Sequence, residues 1–253
     1  ELLSLRDARK HDEFAGILND NTVLIDVDDH DMSEILMQII EDKQCACRVY
    51  ETTRGKHFMF KNEQRIERNH TGAVLACGLK SDIKLGSRTS YSVLKYKGKE
   101  REIIYDILDD EDYETVPKWL LPVKSKAEFI DMAEGDGRNQ SLFNYILTLQ
   151  SNGFSKDEAR DCIRIINKYV LKKPLTEKEL ETIMRDESFQ KPVFYDGKSF
   201  LHDKFGEFLI SEYHIIKIGS VLHYFKDGVY VPANIDGLMI KHIPNLKQNQ
   251  RKE

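Results

Sequence analysis

No apolar run in these 253 residues approaches the roughly 18–20 needed to span a membrane as a helix. The opening residues also lack the basic-then-apolar pattern of a secretory signal. No Gly-x-x-x-x-Gly-Lys-[Ser/Thr] loop occurs, which excludes a P-loop ATPase site in this stretch. Cysteine is scarce: Cys45, Cys47, Cys77 and Cys162 include no Cys-x-x-Cys spacing, so a zinc site is not expected. Reduced thiols in a cytoplasmic protein are the matching expectation. Charge of one sign is also missing, with 38 Lys and Arg against 43 Asp and Glu and a formal net charge of −5. Any nucleic-acid surface must therefore be local. The remainder, 40% hydrophobic and 32% charged, is an ordinary soluble composition. Glu1 at one end and the polar run Lys247 to Glu253 at the other read as cuts from a longer protein.

What is present begins with Val23-Leu24-Ile25-Asp26-Val27-Asp28-Asp29-His30. The apolar run predicts a strand buried on both faces. Carboxylates are costly there unless they sit at its exposed end and hold a cation. Residues i and i+2 of a strand share a face, roughly 6.5–7 Å apart, so Asp26 and Asp28 project together and Val27 faces the other layer. That arrangement suits two hard cations about 3.5–4 Å apart. The plainer alternative is an acidic strand-to-helix turn in which Asp29 or Asp31 caps the next helix.

From Asp31 to Lys43 the stripe Ile35, Leu36, Ile39, Ile40 predicts an amphipathic helix, and Cys45 to Thr53 a strand. Arg54-Gly55-Lys56-His57 crowds donors around a glycine that lets the backbone come close to a ligand, a composition that suits a triphosphate. A solvated hairpin turn is the alternative. Leu79 to Arg88 is a short strand-like segment in which Asp82 and Lys84 share a face. Tyr91–Lys95 and Arg101–Tyr105 flank a Lys97-Gly98-Lys99 turn and predict a β-hairpin, followed by an acidic surface tract from Asp109 to Glu114.

The hhhDhD strand ending in Asp26 and Asp28, the small-residue-x-His element Gly55-Lys56-His57 and the later strand with Asp82 resemble, in order and spacing, the archaeo-eukaryotic primase superfamily. The likeness is to the primase-polymerases of phages and plasmids in particular. It implies an α+β chain whose first domain is an RRM-like βαββ primase-polymerase core. It further implies that Asp26, Asp28 and Asp82 bind two Mg²⁺ or Mn²⁺ ions, that His57 contacts the phosphates of an NTP or dNTP, and that a single-stranded DNA template is the partner. Arg54, Lys56, Lys84 and Arg88 join the nucleotide-binding set by proximity and charge. Without metal the three acids would repel one another and one pKa would rise.

Pro117-Lys118-Trp119-Leu120-Leu121-Pro122 is bracketed by prolines and marks a boundary, with the only tryptophan expected between two bodies. The division is 1–116 catalytic, 117–124 linker, 125–192 helical, and 193–253 a short helix with a β-hairpin. Three helices are expected in the helical region: one carrying Leu142, Phe143, Ile146 and Leu149, one opened by the capping box Ser155/Glu158, and one by Thr176/Glu179. Arg138 and Asn139 are candidate DNA contacts at a helix N-terminus, with Asn139 alternatively the N-cap. The helical region resembles the C-terminal domain of phage primases. The last region resembles the segment ahead of a helicase core, so a helicase domain is expected downstream in the parent chain. His214, His223 and His242 are scattered and read as surface or hydrogen-bonded residues. Two further functions fit the acids: a metal-dependent nuclease, and a non-catalytic replication initiator that binds DNA or partners.

Overall fold

The structure is a computed structural model describing residues 2–108, 112–189, 194–196, 199–226 and 228–241. Part of the acidic tract, Asp227 of the last turn, His242 and the terminal polar run lie outside the described residues.

The first region runs α1 (Leu5–Ala8), β1 (Phe14–Ile17), β2 (Thr22–Val27), α2 (His30–Lys43), β3 (Arg48–Glu51), β4 (Lys56–Lys61), β5 (His70–Leu75), β6 (Lys80–Leu85), β7 (Tyr91–Tyr96), β8 (Lys99–Glu100) and β9 (Ile103–Asp106). With β10 (Pro122–Val123) it forms a seven-stranded sheet of order β10-β5-β6-β2-β4-β3-β9, in which every strand pairing is antiparallel. β2 lies at the centre, hydrogen-bonded on both sides, which is why its apolar residues form a continuous run rather than alternating with polar ones.

On the back face Val23, Ile25 and Val27 pack with Leu36, Ile39 and Ile40 of α2, all buried. Each such side chain contributes about 1.5–3 kcal/mol relative to exposure. α2 starts one residue before the expected Asp31: Asp29, one of the two capping residues the sequence offered, is the N-cap, accepting from the Met32 amide at 2.8 Å, and the left-handed Gln44 (φ 53°) ends the helix. On the front face a smaller sheet, β1-β7-β8, brings Ser92 to β4. Lys97 and Gly98 (φ 48° and 77°) close the β7–β8 turn as expected for a tight hairpin. The second half of the predicted hairpin departs: Ile103–Asp106 leaves β7 and pairs with β3, extending the large sheet instead.

Residues 117–124, expected to be a linker, are built into the fold. Trp119 and Leu120 are buried, and β10 adds to the edge of β5. Buried residues of 1–116 and 125–192 form one continuous apolar cluster. The Tyr145 hydroxyl donates to the Leu75 carbonyl at 3.2 Å, and Lys43–Asp161 and Lys168–Asp42 ion pairs (3.1 and 2.9 Å) join α2 to the helices. Those helices are α3 (Arg138–Ser151), α4 (Lys156–Ile165) and α5 (Glu177–Ile183), and both predicted capping boxes are formed. Beyond them come β11 (Tyr195–Asp196), β12 (Ser199–Phe200), α6 (His202–Tyr213), a three-stranded sheet β13 (Ile216–Ile218), β14 (Val221–Lys226), β15 (Val229–Pro232), and α7 (Ile235–Ile240). This last part has its own small core of Phe194, Phe205 and Leu209. Among the described residues no helix is long and apolar enough to cross a membrane.

Candidate active site

The strand register sets one row of residues across the front face. Asp26 on β2 is the cross-strand partner of His57 on β4 and of Asp82 on β6, and His57 is in turn opposite Tyr50 on β3. Directly opposed residues of antiparallel strands have Cα atoms about 4.5–5.5 Å apart and point to the same side. Three residues separated by up to 56 positions in sequence thus become neighbours through two strand pairings.

Asp26 is only 5% exposed, although it lies next to the end of its strand. Its Oδ2 accepts from the Lys84 ammonium at 2.6 Å. Oδ1 stands 3.1 Å from His57 Nε2, an ion-pair distance, but the bond directions are poor and Oδ1 is left without a well-aligned hydrogen-bond donor. Burial pushes the Asp26 carboxyl pKa up. His57 and Lys84 together outweigh burial and bring it down to about 2, so the group is an anion at neutral pH. His57 Nδ1 lies 3.0 Å from Ser92 Oγ, which fixes the ring plane. A Ser92–His57–Asp26 line has the members of a hydrolytic triad, but Ser92 is 1% exposed and out of reach of any substrate carbonyl.

Asp28 lies one residue beyond β2, exposed, with Oδ2 2.5 Å from Arg54. The β3–β4 turn carrying Arg54 closes tightly on the end of β2. A Cβ on Gly55 would stand 1.9 Å from the Val27 carbonyl oxygen, so only glycine permits this approach. Asp82 is half-buried and accepts from the Gly72 amide at 2.8 Å through Oδ1.

The structure therefore gathers Asp26, His57, Asp82 and Lys84 on one face and pairs Asp28 with Arg54 at its edge. It does not gather Lys56, whose register partner is Val27 on the opposite face. Lys56 is 3% exposed and ion-paired with Glu34 and Glu51. Arg88 lies beyond the far end of β6 and donates to the Glu67 carbonyl at 3.1 Å. In the helical region the N-cap of α3 is Gly137, in the left-handed conformation, and not Asn139. Arg138 is 9% exposed and donates to the Lys173 and Pro174 carbonyls, so it is committed to holding the chain before α5.

Two residues near the acids carried no signal of their own in the sequence. Ser92 and Arg101 come from the small front sheet and the strand leaving it, and only the crossing of that sheet over β2 and β4 brings them in.

As the side chains stand, the described residues include no group of three or more His, Cys, Asp or Glu gathered to hold a metal ion. Lys84 and Arg54 supply the positive charge that Asp26 and Asp28 require. The donor chemistry nevertheless fits a hard cation: Asp26 keeps an orphaned buried oxygen, with the Asp82 carboxylate across on β6 and the Asp28 carboxylate two residues along the chain. No protein-family model, curated protein or solved structure matches the chain.

Proposed function

We propose that this chain is a template-dependent nucleotidyltransferase, a primase-polymerase that joins the α-phosphate of an NTP or dNTP to a 3′-hydroxyl or an initiating nucleotide. The observation that carries the reading is the flanking of Asp26 by His57 on one strand and Asp82 on the other. A buried anion with an unsatisfied oxygen, a second acid beside it and an imidazole on its other side is a poor stabilising device and a good reactive one. The β2-α2-β3-β4 unit with α2 on the back face also supports an RRM-like core. The chain differs from a β-α-β-β-α-β arrangement in having β5, and no second helix, before the strand of Asp82.

Asp26, Asp28 and Asp82 would hold the Mg²⁺ or Mn²⁺ ions, with Lys84 and Arg54 turning from the carboxylates to the triphosphate. Both have side chains exposed enough to move. Bound there, the ions supply a lowered pKa for the attacking hydroxyl and charge for the departing pyrophosphate. The chain's own residues position the reactants. His57, its plane set by Ser92, offers Nε2 to a phosphate oxygen, and Lys84 and Arg54 neutralise the phosphates. Catalysis then needs no covalent protein intermediate.

A primer-extension assay with labelled nucleotides, a DNA template and Mn²⁺ tests the reading. Lengthening of the primer supports it. Shortening identifies a nuclease, and template binding without chemistry a replication initiator.

A further inference from the structure

Among the described residues, Arg101 is a cation near Asp26 and Asp28 that is bonded to neither. It lies between β8 and β9, where the chain crosses from the small front sheet to the edge of the large one. Both sides of the crossing are pinned: the Arg101 amide donates to the Leu94 carbonyl at 2.8 Å, and the Glu51 amide donates to the Glu102 carbonyl at 2.9 Å. Two residues on, Ile103 pairs with Tyr50, which continues the row Tyr50–His57–Asp26–Asp82. The guanidinium lies within electrostatic reach of both Asp26 and Asp28, yet its Nη1 is buried and makes no hydrogen bond.

A guanidinium always keeps its charge, and leaving one of its nitrogens buried and unpaired costs more than an ordinary lost hydrogen bond. Lys84 and Arg54 each hold one oxygen of Asp26 and Asp28, and neither carboxylate bonds to Arg101. Such a donor, held beside the acids by backbone hydrogen bonds on both sides, lacks an acceptor, and the clustered, multiply charged oxygens of a polyphosphate are one that a guanidinium fork takes well.

We propose that Arg101 is a phosphate-binding residue of this site and receives the terminal phosphates of the incoming nucleotide, the part that leaves as pyrophosphate. The assignment of a polyphosphate to Arg101 stands on the unpaired nitrogen. That the polyphosphate belongs to a nucleotide rests on the polymerase reading.

The test uses the full chain and inorganic tripolyphosphate as probe, followed by calorimetric titration, with primer extension measured separately. Wild type is expected to bind tripolyphosphate. Arg101→Gln should weaken that binding at least tenfold, and Arg101→Lys, which keeps the charge but loses the fork, by an intermediate factor. If the glutamine variant does not fold, the lysine variant alone decides. A residue serving only to balance Asp26 and Asp28 would lower the melting temperature and leave the tripolyphosphate affinity of the folded protein unchanged. That result, or a wild type blind to tripolyphosphate, overturns the proposal. Tripolyphosphate binding lost in the variant while wild type extends no primer retains Arg101 and removes the polymerase reading. Primer extension by wild type with unaltered binding in both variants does the reverse.

Discussion

Asp26 and His57 face each other across β2 and β4, with Oδ1 3.1 Å from Nε2 and both side chains nearly inaccessible to solvent. β2 and β4 are neighbouring strands in the middle of the large sheet. Lys84 on one side and Ser92 on the other complete the pair's surroundings.

This pairing makes stability depend on acid. The folded pKa of Asp26 is depressed to about 2 from an ordinary 3.8. A depressed carboxylate contributes stability that is fully present above its unfolded value and is lost as pH falls through its folded value. The contribution is about 2 kcal/mol, fading between about pH 4 and pH 2. Urea denaturation of wild type and Asp26→Asn across that range should show a steeper acid loss in wild type.

Asp28 is exposed, and its partner Arg54 is still more so. Asp28→Ala should therefore leave the melting temperature within about 1 °C, since exposed ion pairs contribute little. Primer extension should fall roughly a thousandfold, equivalent to about 4 kcal/mol of barrier. Extension at the wild-type rate would remove Asp28 from the site.

Lys56 and Lys84 should behave oppositely. Lys84→Met leaves a buried carboxylate short of its cation and should cost about 3 kcal/mol in chemical denaturation. Lys56→Met leaves only the more exposed Glu34 and Glu51 unpaired and should change stability by less than about 1 kcal/mol. Triphosphate binding should weaken in the first and stay unaltered in the second.

Gly55→Ala places a methyl group against the Val27 carbonyl, a contact that cannot be relieved without moving the end of β2. A loss of about 1–3 kcal/mol is expected from such overpacking. Nucleotide binding should fall with it, because the turn carries Arg54 and leads directly into the strand of His57. Thermal melting and nucleotide titration on one preparation measure both.

All four thiols are buried, and burial pushes those of Cys45 and Cys77 up to about 12 and those of Cys47 and Cys162 higher still. Native protein should react negligibly with a thiol-specific disulfide reagent at pH 8, and denatured protein should release four equivalents. A fast-reacting thiol in the native state would show that one of these sites is open.

Local chemistry is written directly in the chain. The apolar run before Asp26, the stripe of α2, the Asp29 cap and the boxes at Ser155 and Thr176 each depend on residues within one or two turns of each other. They formed as their spacing requires. Which distant residues share a face is a property of register. Lys56 and His57 are adjacent in sequence, yet a strand sends them to opposite sides, so only His57 meets Asp26. Arg138 looked available at a helix start, but its side chain is buried and its Nη1 donates to the segment before α5. Ser92 and Arg101 reach the acids only because a second sheet folds over the first. No spacing rule along the chain could have marked them, since the contact is made by pairings between strands far apart in sequence.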